Sequence, residues 1–147
     1  MRKGRDSIDS YIVCRKIVGG LARGRSVVTR QPINFLTMLD PKTGIIKDPD
    51  HELYGKSLRS KVLIFPNAVG SSVGAYVLYS LKMQGTAPSA IICTHGIDII
   101  TASACAISEI PTVSTAGRQT ESVSRIKSGI QVLVDADDCH IEFNKTN

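Results

Sequence analysis

A β-rich layer joined to a small parallel α/β unit is the fold class that this sequence predicts, and three observations lead to it. Val62-Leu63-Ile64-Phe65 is an apolar run of strand length with no polar alternation, which implies burial on both faces. Directly after it, Val73, Tyr76, Val77 and Leu81 recur at helical spacing, with Gly85 placed to end the helix. The alternation of strand and helix then continues, and that order belongs to parallel α/β units.

The elements follow in chain order. Residues 11–18 read as a strand ended by Gly19-Gly20, and residues 25–29 as a second strand rich in β-branched side chains. Residues 31–56 hold Pro32, Pro41, Gly44, Pro49 and Gly55, too much turn chemistry for regular structure, so a long ordered loop is expected there. Residues 62–65 form the central strand, 66–70 a turn, 72–83 a helix and 89–93 the next strand. Residues 97–107 read as a second helix and 111–113 as a short strand. A terminal hairpin pairs residues 129–134 with 139–143 across the acidic turn 135–138.

Composition sets the limits. A chain of 147 residues, 42% apolar and 21% charged, makes one domain able to bury a core. Its apolar runs are far shorter than the roughly 20 residues a bilayer needs, and the start of the chain is charged. A location in the cytoplasm, with no membrane association, is the expectation.

The net charge of +5 is lopsided: residues 1–30 carry eight of the eighteen Lys and Arg with only two acids. Residues 1–10 read as a basic tail and residues 11–147 as a single domain. Without interleaved aromatic residues the tail does not suggest nucleic acid as a partner. Cys14, Cys93, Cys105 and Cys139 are dispersed, with no pair at metal-ligand spacing, so no metal site is assigned to this chain.

Chemistry concentrates in Phe65-Pro66-Asn67-Ala68-Val69-Gly70-Ser71-Ser72-Val73-Gly74-Ala75-Tyr76, where glycines and two serines lie between a buried strand and a helix. Unpaired N–H groups and the helix dipole favour an anion at such a junction. Gly70 and Gly74 allow close backbone approach. A serine hydroxyl in that positive field can act as a base or bind an anionic ligand, and the simpler alternative is an N-cap serine. The segment is neither a P-loop nor a Gly-x-Ser-x-Gly elbow. His51, His95 and His140 have no spacing that ties them to it, and Asp40 with Pro41 reads as loop-shaping.

An ordered set of motifs carries a family resemblance. Arg15-Lys16-Ile17-Val18-Gly19-Gly20 is followed by Thr29-Arg30-Gln31-Pro32-Ile33-Asn34-Phe35-Leu36, Asp40-Pro41-Lys42-Thr43-Gly44 and Gly55-Lys56-Ser57. Lys61-Val62-Leu63-Ile64-Phe65-Pro66, Gly70-Ser71-Ser72-Val73-Gly74-Ala75-Tyr76-Val77, Ala87-Pro88-Ser89-Ala90-Ile91-Ile92 and Ile110-Pro111 complete the set. From about residue 15 to 134 the chain resembles the swivel domain of the aconitase X family.

The resemblance implies a swivelling β/β/α domain of the aconitase swivel type that closes over a large catalytic subunit. It implies a heteromeric hydro-lyase, a dehydratase of hydroxy acids, for which the expected substrate is (R)-5-phosphomevalonate in the archaeal-type mevalonate pathway. Carried onto this sequence, Ser71 is the proton acceptor, with Gly70, Ser72 and Gly74 shaping the substrate site. An iron–sulfur cluster or iron, held by the large subunit, would draw off hydroxide as a Lewis acid; this chain alone binds none. Arg15, Lys16 and Arg30 are candidates for the rim or the interface.

The chain also departs from the family pattern. Thr37-Met38 stand where glycines are usual, Asn67-Ala68-Val69 where basic residues are common, and Ala104 and Glu109 replace glycines before Ile110-Pro111. Loss of the basic residues favours a substrate without a phosphate, making a cis-3-hydroxy-L-proline dehydratase subunit the second reading. A non-catalytic anion-binding module is the third.

Overall fold

The computed structural model describes residues 10–117 and 119–144. The basic segment 1–9, Arg118 and residues 145–147 lie outside them; Ser10, placed in the tail by sequence, is buried. The described residues form strands β1 (Tyr11–Val13), β2 (Arg15–Val18) and β3 (Leu21–Val28), helix α1 (Phe35–Met38), β4 (Val62–Phe65) and α2 (Gly74–Gln84). There follow β5 (Ala90–Cys93), α3 (Ile99–Ser108), β6 (Thr112–Ser114), α4 (Gln119–Val123), β7 (Gln131–Asp135) and β8 (His140–Phe143).

The strands form one sheet in the order β1-β8-β7-β3-β4-β5-β6-β2. Strands β3 to β6 run parallel and adjacent, linked by crossovers that carry α1, α2 and α3. The start of β3 pairs antiparallel with β7, while its end, Ser26–Val28, pairs parallel with β4. One strand thus joins the β-rich layer to the α/β unit.

The central strand is buried on both faces, as its apolar run requires. Its alternation sorts it between two cores. Leu63 and Phe65, with Ile91 and Cys93, pack against Leu78, Leu81, Ala104 and Cys105 of the helices. Val62 and Ile64, with Ala90, Ile92 and Val113, pack against Ile12, Val132, Val134 and Ile141.

Four features depart from the sequence reading. Residues 11–18 are two strands: β1 pairs with β8, and β2 pairs with β6 at the opposite edge of the sheet. Cys14 links them, its N–H donating to the Cys139 carbonyl at 2.9 Å. One short stretch supplies both sheet edges, so the sheet is drawn round on itself. The expected loop over 31–56 contains α1, capped by the Asn34 side chain, and it buries Ile33, Phe35, Leu39, Ile46 and Leu53. Short α4 gave no periodic signal. Element ends also move: α2 begins at Gly74 and α3 at Ile99, two residues late, and the strand expected over 25–29 begins four residues early, at Leu21, where its first half pairs with β7.

Glu109 stands where the family favours glycine, and it adopts the left-handed conformation with φ 54, its N–H facing the Ala106 and Cys105 carbonyls. The helix therefore ends as a glycine would end it, at a steric cost. Glu109→Gly is expected to raise stability by roughly 0.5–1 kcal/mol in urea denaturation.

His140 is buried and stacks on Tyr11, ring centroids 4.8 Å apart. Its Nε2 lies 2.8 Å from Glu142 and its Nδ1 3.1 Å from Asp138. Burial opposes the charged ring, but the Glu142 hydrogen bond and charge, helped by Asp138 and Asp135, outweigh it and raise the pKa above 6.5. Folding therefore favours the imidazolium. This stabilisation is complete below about pH 6.5 and is lost as pH rises through the higher folded-state value. Denaturation midpoints measured across that range should fall with pH in the native chain, and the His140→Gln variant should lose this component of the slope.

Candidate functional site

The chain leaving β4 is held from two sides. Ile33 and Ala68 form a parallel bridge, the Ile33 N–H donating to the Asn67 carbonyl at 3.3 Å and the Val69 N–H to the Ile33 carbonyl at 3.0 Å. From the other side, Asp98 Oδ2 accepts the Ala68 N–H at 2.8 Å while its Oδ1 caps α3 by accepting the Thr101 N–H at 2.7 Å. The path from Pro66 to Gly70 is therefore fixed by α1's lead-in and by α3's cap.

Gly70 has φ +95, and a Cβ there would lie 2.2 Å from Asn34 Nδ2. Only glycine both adopts that backbone and leaves room for the asparagine. Ser71 and Ser72 are exposed. Ser71 Oγ accepts the Val73 N–H at 3.1 Å and the Ser71 carbonyl accepts the Gly74 N–H at 3.0 Å, so the serine caps the first turn leading into α2. Capping uses an oxygen lone pair and leaves the hydroxyl proton uncommitted. Among the described residues, no acceptor is found for the N–H groups of Gly70, Ser71 or Ser72. The N–H groups of Val73, Gly74, Ala75 and Tyr76, expected to be open at the helix start, are accepted within the turn, so the unpartnered donors are those of the three residues that lead into α2, a place where an anion can be received.

Gly74 has a different use. It is buried, and a Cβ there would lie 3.2 Å from both Phe35 Cβ and the Leu36 nitrogen. Its lack of a side chain seats α1 against α2, so its contribution to the site is made through Asn34 at the start of α1.

Arg15 and Arg30 come to the end at which the parallel strands finish, with β4, β5 and β6 lying between β2 and β3. Arg15 is paired with Ser114 at the end of β6, and Arg30 follows β3 where the Thr29 N–H reaches the Ile64 carbonyl at 3.0 Å. Lys16 instead faces Asp137 at 3.6 Å. Asp40 shapes its loop, Oδ1 accepting the Lys42 and Thr43 N–H groups, which hold its carboxyl below the usual range. His51 is buried, with Nδ1 accepting the Leu53 N–H, and His95 is exposed.

Sequence reasoning missed three side chains. Asn34 contacts Gly70, and Asp98 holds Ala68. Glu52 accepts the Thr29 hydroxyl and the Arg30 N–H, bonds that keep its carboxyl below the usual range and anchor the Arg30 loop. Asn34 and Asp98 each precede a helix, and that N-cap position was the available signal.

The four cysteines are free, and burial pushes Cys14 up to about 12 and raises Cys93 and Cys105 as well. Asp135, Asp138 and His140 place ligand atoms within 4.8 Å of one another on the β7–β8 hairpin, two oxygens and a nitrogen. That set does not fit an iron–sulfur cluster, which is built chiefly on thiolates. A cleft of about 710 Å³, lined by Gly19, Gly20, Ser60, Ser89 and Pro111 among others, lies at the starts of the parallel strands, away from Ser71. The Gly70–Ser72 turn sits on an open rim at their ends.

Fold and site together define a swivel-type α/β domain that offers an anion-receptive Gly-Ser turn. The chain belongs to the aconitase X swivel domain family, which it matches over residues 11–143. It is 46% identical over 125 residues to the phosphomevalonate dehydratase small subunit of Methanothrix thermoacetophila, covering 85% of this chain and 88% of that one. With the subunit of the same name from Thermococcus kodakarensis it shares 44% identity over 129 residues, covering 88% and 92%. The crystal structure of Thermococcus kodakaraensis aconitase X in its holo-form superposes with a TM-score of 0.84 at 41% identity, covering 92% of this chain and 98% of that one. A UPF0107 protein solved by solution NMR gives 0.82 at 38%, with coverage of 92% and 99%.

Gly70→Ala should be more damaging than Gly85→Ala. Both glycines have positive φ, but nothing lies within 4 Å of a Cβ at Gly85. Urea denaturation should show a loss of roughly 1–3 kcal/mol for Gly70→Ala, through strain and displacement of Asn34, and about 1 kcal/mol for Gly85→Ala.

Proposed function

We propose that this chain is the small subunit of a heteromeric hydro-lyase that converts (R)-5-phosphomevalonate to trans-anhydromevalonate 5-phosphate, with Ser71 as the proton acceptor. The observation that carries the reading is the exposed Ser71 hydroxyl, set beside the unpartnered N–H groups of Gly70, Ser71 and Ser72 at the start of α2. Relatives 41–46% identical to this chain are named phosphomevalonate dehydratase small subunits, and a swivel domain with an open rim suits that role.

The chemistry asks for a base near the carbon next to a carboxylate. With its own proton given up to solvent, to which it is exposed, Ser71 Oγ takes the proton from that carbon, the carbon–carbon double bond forms, and hydroxide leaves from the neighbouring carbon. The positive end of α2 lowers the cost of the alkoxide before the proton arrives and steadies the carboxylate as charge flows onto it. Arg15 and Arg30, on separate strands that finish at this end of the sheet, are the cations from which a second anionic group, the phosphate, could draw a partner.

The partner is a large catalytic subunit. Val69, Val73, Tyr76, Ile97 and Ile99 are exposed apolar side chains around the turn, and Tyr76 and Ile99 are 67% and 80% exposed. An apolar rim around a polar centre is the surface expected to close over a partner's cavity. The iron or iron–sulfur centre is assigned to that subunit. No helix among the described residues is long and apolar enough to cross a membrane, and a cytoplasmic location is part of the proposal.

The test is reconstitution with the large subunit and assay of dehydration. The Ser71→Ala heteromer should assemble and bind substrate as the native one does, with kcat lower by at least about 100-fold. Equal turnover would remove Ser71 as the base. Turnover of cis-3-hydroxy-L-proline with none of 5-phosphomevalonate would replace the substrate.

A further inference from the structure

We infer that Asn34 is a substrate-binding residue of this site, its Nδ2 amide donating to the carboxylate of the hydroxy acid; the inference rests on the function proposed above. The side chain has two ends with separate duties. Oδ1 accepts the Leu36 and Thr37 N–H groups at 3.1 and 3.2 Å, which fixes the amide plane. The whole amide, Nδ2 included, lies against Gly70, one residue before the proton acceptor, and Nδ2 is the end that α1 does not use. No acceptor for Nδ2 is found among the described residues. Asn34 is only partly buried, and its amide protons are uncommitted among the described residues.

Capping alone does not account for this arrangement. Serine or aspartate caps a helix as well as asparagine does and brings no amide donor. Here the amide occupies the space above Gly70, and the bridge between Ile33 and Ala68 holds the residue before it in register with the turn. The substrate's carboxylate is bonded to the carbon that Ser71 deprotonates, so a donor beside Gly70, the residue before Ser71, is placed to meet the carboxylate. The phosphate, at the far end of the substrate, is left to other groups.

The experiment compares native, Asn34→Ser and Asn34→Asp heteromers, reconstituted with the large subunit, by calorimetric titration with 5-phosphomevalonate and with unphosphorylated mevalonate, and by KM and kcat. Both variants keep the cap, so their melting temperatures should match the native one. Both should bind each ligand roughly 10–100-fold more weakly and raise KM by a similar factor, the effect of one lost hydrogen bond to a charged group.

Native affinity in Asn34→Ser overturns the inference, and weakening confined to Asn34→Asp does so too, because added negative charge alone produces it. Weaker 5-phosphomevalonate binding with unchanged mevalonate binding overturns the carboxylate assignment. Failure of the native heteromer to bind either ligand removes the functional reading and this inference with it. Native binding that is indifferent to Asn34 leaves the functional reading standing and removes this inference alone.

Discussion

The molecule is organised by one strand that has no polar face. Val62–Phe65 offers apolar side chains to both sides, so two layers must cover it. The helices cover one side, meeting Leu63 and Phe65. On the other side, Val62 and Ile64 are met by strands β7, β8 and β1, drawn round by the segment that supplies both edges of the sheet. Once both faces are covered, the chain can emerge only at the end of the strand. That exit is where the Gly-Ser turn lies, in the crevice at the carboxyl ends of parallel strands where α/β sheets take ligands.

Covering the strand and building the site are the same act at one point. The lead-in to α1 runs beside the chain leaving β4, and the absence of side chains at Gly70 and Gly74 lets it approach. Gly70 admits the Asn34 amide and Gly74 admits the backbone of α1. A glycine-rich turn is commonly read as flexible or as open to a ligand. Here both glycines make room for α1 and its lead-in, and the serines between them are exposed.

The sequence made the central strand, both long helices and the Ser71 turn legible, because each rests on local pattern: an unbroken apolar run, helical spacing, and a glycine placed to end a helix. It concealed whatever depends on contacts distant along the chain. The break at Cys14 is invisible locally, since residues on either side of it favour extended structure and only the closing of the sheet assigns them to opposite edges. Helix α1 is too short for periodicity and sits among prolines and glycines, yet its burial follows from long-range packing on the core. Glu52 and Asp98 act through the segments they hold, Asn34 lies against a turn more than thirty residues further on, and no spacing in the sequence announces those partners.

The replacement of basic residues by Asn67-Ala68-Val69 takes a different meaning once the backbone is known. The Asn67 side chain donates to the Ala68 carbonyl, Ala68 is buried with its N–H on Asp98, and only Val69 is exposed. A cation at Ala68 would have to leave the core to reach a ligand, and the Asn67 amide is spent on the Ala68 carbonyl, so two of the three positions here serve the turn itself. Positive charge at this end of the parallel strands comes from Arg15 and Arg30, carried there by β2 and β3. Charge supplied by other strands at the same end is compatible with a phosphorylated substrate. The departure from the family pattern therefore bears on how the turn is built more than on what it binds.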